Sequence, residues 1–204
     1  MQGFVLHTQR VKDEDLIVFI LSKKAIFKTY RFYGLRHSSI LTGYKIDFAL
    51  EENSRFLPRL KDVLHIGFYW LFQREKMLIW QDFIRLLYKH LNGVESIDNF
   101  YFELLNECVK KFDKQNPKRI IIDAYVRILE HEGRLHKKFT CFVCDEKITQ
   151  NIVLVRAFLP AHYECIQSYG FNKDKLKEFY ESKNSSVFDD DEINELYALI
   201  KEGL

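Results

Sequence analysis

Four side chains that commonly bind metal ions stand in two close pairs in the second half of the chain. Two residues separate Cys141 from Cys144, and two separate His162 from Cys165. Thiolates and an imidazole suit zinc, and four of them fill its tetrahedral coordination shell. The seventeen residues between the pairs are enough for a hairpin that brings the pairs together. The pattern predicts a structural zinc site at Cys141, Cys144, His162 and Cys165; the alternative is two unrelated pairs with free thiols.

A motif just before the first pair raises the question of whether such a metal would be catalytic. The stretch HEGRLH, residues 131–136, resembles the HExxH motif of metalloproteases, which needs histidines at i and i+4 on one helix face. Here position 135 is leucine and the second histidine comes at i+5, about 140° around a helix. The two imidazoles would not share a face, so this interpretation is rejected.

A zinc deaminase is the second catalytic interpretation. Such enzymes place a His-x-Glu before a Pro-Cys-x-x-Cys. His162-Tyr163-Glu164 instead follows the Cys-x-x-Cys, Thr140 stands where proline is expected, and Cys165 would have no role. A redox Cys-x-x-Cys would need a βαβ setting that the sequence lacks. The sequence favours a protein with no catalytic residues, and a zinc-dependent hydrolase or deaminase remains the alternative.

The composition is that of a folded chain with a substantial core. Its 204 residues suffice for one large domain or two small ones, and 47% of them are hydrophobic. The N-terminus lacks the pattern of a signal peptide, and no apolar stretch reaches 18 residues, so we expect a cytoplasmic protein with no membrane span. Cysteines are reduced in that compartment, which favours metal binding over disulfides. Cys108, on an apolar helix face, is expected to be a core thiol.

Short strands are predicted for the first 68 residues. The segment TGYKIDFALEE alternates with Tyr44, Ile46, Phe48 and Leu50 on one face. The other strands are predicted in GFVLHTQRV, LIVFIL, IFKTYRFY and RFLPRLKDVLHI. Five short strands in so few residues favour a small closed barrel of the OB type, with an SH3-like barrel as the competitor. Residues 1–68 are therefore predicted to form an OB-fold domain.

Helical periodicity replaces this alternation after Gly67. Helices are predicted in YWLFQREKMLIWQDFIRLLYKHL, in FYFELLNECVKKF, from Pro117 to Gly133, in KDKLKEFYES and in DDDEINELYALIKE. Asp189 and Glu192 can form a capping box at the last helix. The predicted fold class is α+β, with the barrel followed by an α-helical domain, residues 69–204, that carries an inserted zinc-binding element at residues 136–168.

Positive charge is concentrated in the barrel segment. Residues 1–68 contain 11 Lys and Arg against 7 Asp and Glu, a balance of +4. Tyr30, Phe32 and Tyr33 lie between the cations; cations bind phosphates, and aromatic faces can stack on unpaired bases. For each ring taken singly, however, a place in the barrel core is the favoured interpretation, since Tyr30 and Phe32 lie on the same face as Ile26. The sequence predicts a sequence-tolerant, salt-sensitive face for binding nucleic acid. Its candidate residues are Arg10, Lys12, Lys23, Lys24, Lys28, Arg31 and Arg36.

The order and spacing of these features resemble the RecO family of bacterial recombination mediators. The similar stretches are GFVLHTQRVKDEDLIVFILSKK, RFYGLRHSS, RILEHEGRLHKKFTCFVC and AHYEC. The chain is short for the family, and His162 stands where a third cysteine is usual. The resemblance implies an N-terminal OB domain, a helical domain with a zinc element, and a non-catalytic protein that binds single- and double-stranded DNA and anneals complementary strands in DNA repair.

The same resemblance implies protein partners. They are RecR and the acidic C-terminal tail of single-stranded-DNA-binding protein, with RecA loaded indirectly on coated single strands, in the cytoplasm close to the nucleoid. Nearby cations that could hold an acidic tail are Arg119, Arg127, Lys137 and Lys138. A third hypothesis is an interaction scaffold that binds proteins only, which a DNA titration would separate from the mediator.

Overall fold

A computed structural model describes residues 1–52, 55–94 and 96–204. Among them, five strands form a closed barrel in the order β1-β2-β3-β5-β4, with β4 pairing back to β1. The β3–β5 pair is parallel and the other neighbours are antiparallel. The strands are β1 (Gln2–Arg10), β2 (Leu16–Leu21), β3 (Ile26–Arg31), β4 (Lys45–Glu51) and β5 (Arg59–Ile66). The predicted five-stranded OB-type barrel is confirmed.

Alternation along the strands fills the barrel. Each strand presents every second side chain to the interior of the barrel. The side chains at these inward positions are apolar. Val18 and Ile20 of β2 are fully buried, and Ile46 and Phe48 of β4 meet them inside, as the alternation predicted. The core is the cluster of Val5, Leu16, Val18, Ile20, Ile40, Ile46, Phe48 and Leu60.

Two helices belong to the same compact unit as the barrel, which spans Met1–Asp113. They are α1 (Arg74–His90) and α2 (Phe100–Lys111). Trp80 of α1 donates from Nε1 to the carbonyl oxygen of Gly43 at 2.8 Å. Gly43 has a φ of 91°, and a Cβ there would lie 2.8 Å from the Trp80 ring, so glycine is required at this approach.

The helical half was predicted to begin directly after Gly67, and the structure differs in two ways. Residues 69–72 form a 3₁₀ turn, and α1 begins only at Arg74. Within this turn Trp70 is buried, whereas Phe72 is 96% exposed, so only part of the segment joins the core. The barrel strands end at Ile66, close to the predicted limit at residue 68, whereas the compact unit extends to Asp113.

The second compact unit spans Lys114–Leu204. It contains α3 (Pro117–His131), β6 (Ile152–Val155), β7 (Leu159–Ala161), β8 (Gly170–Phe171), α4 (Lys173–Ser182) and α5 (Asp190–Lys201). Asn116 accepts from the amide of Lys118 and caps α3, whose first residue is Pro117. The predicted capping box of Asp189 and Glu192 is present at α5. None of the described helices combines the length and apolarity needed to cross a bilayer.

Candidate metal centre and candidate nucleic-acid face

The first ligand pair lies on a tight turn. The amide of Cys141 donates to Glu146 O at 2.8 Å, and the amide of Asp145 donates back to Cys141 O at 2.9 Å. Asp145 takes a left-handed conformation, with a φ of 59°, which reverses the chain directly after Cys144. The turn brings the Cys144 sulfur back toward Cys141.

A hairpin positions the second pair. Strands β6 and β7 lie antiparallel, and β7 leads directly into His162. The amide of Phe142 donates to Pro160 O at 3.0 Å, which fixes β7 beside the first turn. The amide of Cys165 then donates to His162 O at 3.2 Å, so His162 and Cys165 share a second tight turn.

The four predicted ligands converge. The ligand atoms of Cys141, Cys144, His162 and Cys165 all lie within 4.8 Å of one another. The Cys144 Sγ lies 3.3 Å from His162 Nδ1. A tetrahedral zinc site has sulfur–sulfur edges of about 3.8 Å and sulfur–nitrogen edges of about 3.5 Å, from its bond lengths. The donor set could therefore hold a metal ion, and its geometry and chemistry fit zinc without a large rearrangement.

Burial and hydrogen bonds make the thiols unequal. Burial pushes the pKa of Cys141 upward, but amide hydrogen bonds from His162, Cys144 and Val143 outweigh it and lower that pKa to about 6. Burial and the neighbouring sulfurs raise the pKa of Cys165 to about 11. A cation between the sulfurs would favour the thiolate form of both.

The arrangement bears on the deaminase alternative. Cys165, which that interpretation left without a role, lies within the ligand set. Four protein donors fill a tetrahedral shell, whereas a catalytic zinc needs a position open to water or substrate. The side chain of Glu164 is exposed. This geometry favours a metal that braces the two turns.

The predicted DNA-binding cations lie along the β2–β3 hairpin, at the last residue of β1 and in the loops at the two ends of the hairpin. Lys28 lies opposite Phe19 and points outward, with its Nζ 5.8 Å from the centre of that ring. The six residues of β2 span about 20 Å, which separates the two ends. Lys23 and Lys24 lie at one end; Arg10, Lys12 and Arg36 lie at the other.

Arg31 differs from the other predicted cations because its side chain turns toward the barrel interior. It pairs in register with the buried Leu16, and its Nη1 donates to Leu60 O at 2.8 Å. Its Nη2 lies 3.4 Å from His37 Nε2. The guanidinium braces the end of the barrel, and the outer face carries Lys28 and Tyr30 instead.

At the end with Lys23 and Lys24, henceforth the lysine end, a further cation appears that the sequence did not single out. Lys23 is 64% exposed, and its Nζ lies 4.0 Å from Glu103. Lys45 of β4 donates to Asn106 at 2.8 Å, and its Nζ lies 5.5 Å from the centre of the Phe102 ring. Burial lowers the pKa of Lys45. Alternation in β4 did place Lys45 on the outer face, which was the available signal.

Arginines stack on aromatic rings at the opposite end of the hairpin, henceforth the arginine end. The Arg36 guanidinium lies 5.0 Å from the centre of the Tyr33 ring and forms an ion pair with Glu14. The Arg59 guanidinium lies 5.0 Å from the centre of the Phe32 ring. Arg59 was missed from the sequence because only the parallel pairing of Tyr30 with Arg59 brings β5 to this end.

Comparison with family models gives a match over the barrel. The family model described as RecO N terminal matches residues 1–71, which cover all five barrel strands. The chain matches no curated protein. The RecO resemblance found in the sequence is therefore confirmed for residues 1–71, the region that carries the predicted DNA-binding cations.

Proposed function

The barrel belongs to the RecO N-terminal family, and from this premise we propose that the chain is a DNA-binding mediator of recombination and repair. In this proposal it binds single- and double-stranded DNA without reading sequence and helps complementary strands to anneal. Annealing requires only that cations reduce phosphate repulsion while the bases stay able to pair. The chain would act by binding rather than by catalysis, in the cytoplasm beside the nucleoid.

The observation that carries this proposal is the joint presence of an OB-type barrel and outward cations along its β2–β3 hairpin. OB-folds bind oligonucleotides on the face of strands 2 and 3 and on the loops between strands 1–2 and 4–5. Lys28 lies on that face, Lys12 lies in the β1–β2 loop, and Lys24 lies in the β2–β3 turn. All three are exposed and can reach phosphates.

We propose that the metal is zinc and that its role is structural. Three sulfurs and one imidazole nitrogen are the ligands zinc prefers, and they leave no coordination position for a substrate. Bound there, zinc would supply rigidity to the two turns, and residues Cys141, Cys144, His162 and Cys165 would hold it.

The proposed protein partners are RecR and the acidic tail of single-stranded-DNA-binding protein, with RecA assisted indirectly. The cations suggested for the tail are engaged to different degrees. Arg119 donates to Ser185 O at 2.6 Å and to Phe188 O at 2.9 Å, and these bonds hold the segment before α5. Lys137 pairs with Glu130 at 2.7 Å. Arg119 therefore suits a structural role better than the capture of a tail.

The proposed function predicts DNA binding that weakens with salt through the lysines of the hairpin. The test is a fluorescence-anisotropy titration of a labelled oligothymidine across a salt series, with the variant that combines Lys23→Gln, Lys24→Gln and Lys28→Gln. Each phosphate contact on a single strand contributes about 0.7 to the log–log salt slope, so loss of three contacts should reduce the slope by about 2.

The matched control removes the same charge from the second unit with Lys114→Gln, Lys147→Gln and Lys177→Gln. All three lysines are exposed, and this variant should keep the wild-type slope. Equal slopes in the two triple variants would refute the proposed face, and an unmodified chain that binds neither single strands nor duplex at low salt would refute the mediator function.

A further inference from the structure

Three exposed aromatic rings lie in the segments at the arginine end of the hairpin. Phe32 is 46% exposed, Tyr33 is 58% exposed, and Phe56, between β4 and β5, is 75% exposed. Exposed apolar groups that cluster on a folded surface mark binding sites. These three rings follow β3 or precede β5, the two strands that meet at this end.

Hydrogen bonds fix the backbone that carries these rings. The amide of Tyr30 donates to Pro58 O at 2.9 Å, which ties β3 to the segment that follows Phe56. The amide of Tyr33 donates to Asp15 at 2.7 Å, and the Tyr30 hydroxyl donates to the other oxygen of Asp15 at 2.6 Å. The Tyr33 backbone is left-handed, with a φ of 50°, and is held so by this contact.

The cations at this end are already partly neutralised. Arg36 pairs with Glu14, and Arg59 lies 3.7 Å from Glu51, which also accepts from Lys61 at 2.9 Å. Exposed ion pairs of this kind are weak, so the guanidinium groups can exchange partners. The surface nevertheless offers ring faces with little excess charge, and that chemistry suits the flat faces of bases more than phosphates.

We infer that Phe32, Tyr33 and Phe56, with Arg36 and Arg59 beside them, form a stacking site for unpaired bases. This inference rests on the proposed DNA-binding function and divides it between two ends of one hairpin. Bases in a duplex stack on one another and present no free face, whereas bases in a single strand do. The lysine end, together with Lys28 and Lys12, would then bind the phosphates of both forms, and the rings at the arginine end would select single strands.

The test compares two labelled strands of equal length and charge, an oligothymidine and a fully abasic deoxyribose-phosphate strand. Stacking on aromatic residues strengthens binding by about fivefold or more per base. We expect the unmodified chain to prefer oligothymidine by at least about fivefold. The variant that combines Phe32→Leu, Tyr33→Leu and Phe56→Leu should bind both strands alike, with its salt slope and duplex affinity unchanged.

Leucine keeps apolar bulk but removes the ring, so a structural role of these positions would leave the preference intact. The lysine triple variant is the matched control, since it should lose affinity for both strands together and keep their ratio. An unmodified chain with no preference for oligothymidine, or a leucine variant that retains the preference, would overturn the stacking site; the latter would assign the rings to a protein partner. Loss of all DNA binding by the unmodified chain would instead refute the proposed function.

Discussion

The barrel and the metal-binding element obtain their order from different sources. Five strands of six to nine residues close on themselves, and the eight core residues inside them are at most 4% exposed. The element around the ligands has strands of only four, three and two residues. Hydrophobic burial and a closed hydrogen-bonded ladder stabilise the barrel. The element has far less regular structure to hold it.

Backbone conformation makes the contrast sharper. Phe139, Asp145, Ala157 and Phe158 all adopt left-handed conformations, with φ between 49° and 59°. The longer barrel segment has Asp13, Tyr33 and Asp62 at positive φ. Each such residue costs about 1–2 kcal/mol relative to a right-handed conformation. The element also buries apolar side chains such as Ile148 and Phe171, which offset part of this cost. From this comparison we expect the first unit to be stable without a metal, and we expect the ligand turns to need a shared ion for their order.

Removal of the metal should produce the largest effect. The resulting loss of ordered structure should be confined to the second unit. Apparent binding free energies for structural zinc are about 10–16 kcal/mol at neutral pH, and much of that is folding free energy. We expect about one zinc per chain by metal analysis, and we expect none in Cys141→Ser. Hydrogen exchange should then show lost protection in residues 139–171 and retained protection in β1 to β5.

The matched control for that experiment is Cys108→Ala, because Cys108 is a buried cysteine of the first unit. It should retain the zinc while it destabilises α2. Both tryptophans, Trp70 and Trp80, lie in the first unit, so their fluorescence reports on that unit. Metal chelation should leave the tryptophan fluorescence unchanged. If it altered that fluorescence as strongly as it altered hydrogen exchange in the ligand turns, the stability of the first unit would depend on the metal.

Truncation of a core side chain in the barrel should destabilise the first unit and leave the metal site intact. Phe48 is 2% exposed, and loss of such a ring costs about 3–5 kcal/mol through lost burial and the cavity left behind. We expect Phe48→Ala to lower the free energy of unfolding of the first unit by that amount, measured by urea titration with tryptophan fluorescence. Phe72→Ala is the control, because its ring is 96% exposed and its removal should cost little. Zinc content should be the same in both variants, and its loss in Phe48→Ala would contradict the separation.

Local patterns made much of the molecule predictable. The metal ligands were found because their chemistry is expressed in short spacings, two residues within each pair. Pro117 and the capping box of Asp189 predicted where α3 and α5 begin. The alternation of β4 predicted that Ile46 and Phe48 face the core.

Features that depend on long-range register were not predictable in the same way. A slip of one residue moves a side chain to the other face of a strand, so the inward direction of Arg31 follows from its pairing with Leu16 rather than from composition. Arg59 reaches the arginine end through one parallel contact with Tyr30, across 28 intervening residues that the sequence cannot align. The packing of α1 and α2 into the barrel's unit likewise rests on contacts such as Trp80 with Gly43.

The smallest expected effect is on the pH dependence of stability, and it arises from a histidine of the barrel. The imidazole of His65 stacks on Tyr44 with 4.1 Å between ring centres, and its Nε2 is buried with no hydrogen-bond partner among the described residues. Burial lowers the pKa of His65 from its usual value of 6.5. Well above pH 6.5 the ring is neutral in both the folded and the unfolded chain, so it contributes no pH dependence to the free energy of unfolding.

As the pH falls through 6.5, the unfolded chain takes up the proton before the folded chain does, so stability decreases until the lowered folded-state pKa is passed. His65→Phe keeps a flat ring against Tyr44 and removes the titration. Tryptophan-detected unfolding should therefore lose part of its acid slope in this variant, while the exposed His136→Phe of the second unit should not change it. Because the signal comes only from the first unit, acid release of zinc from the thiolates cannot imitate the result. An identical slope in His65→Phe and the unmodified chain would show that the buried imidazole is protonated equally in both states.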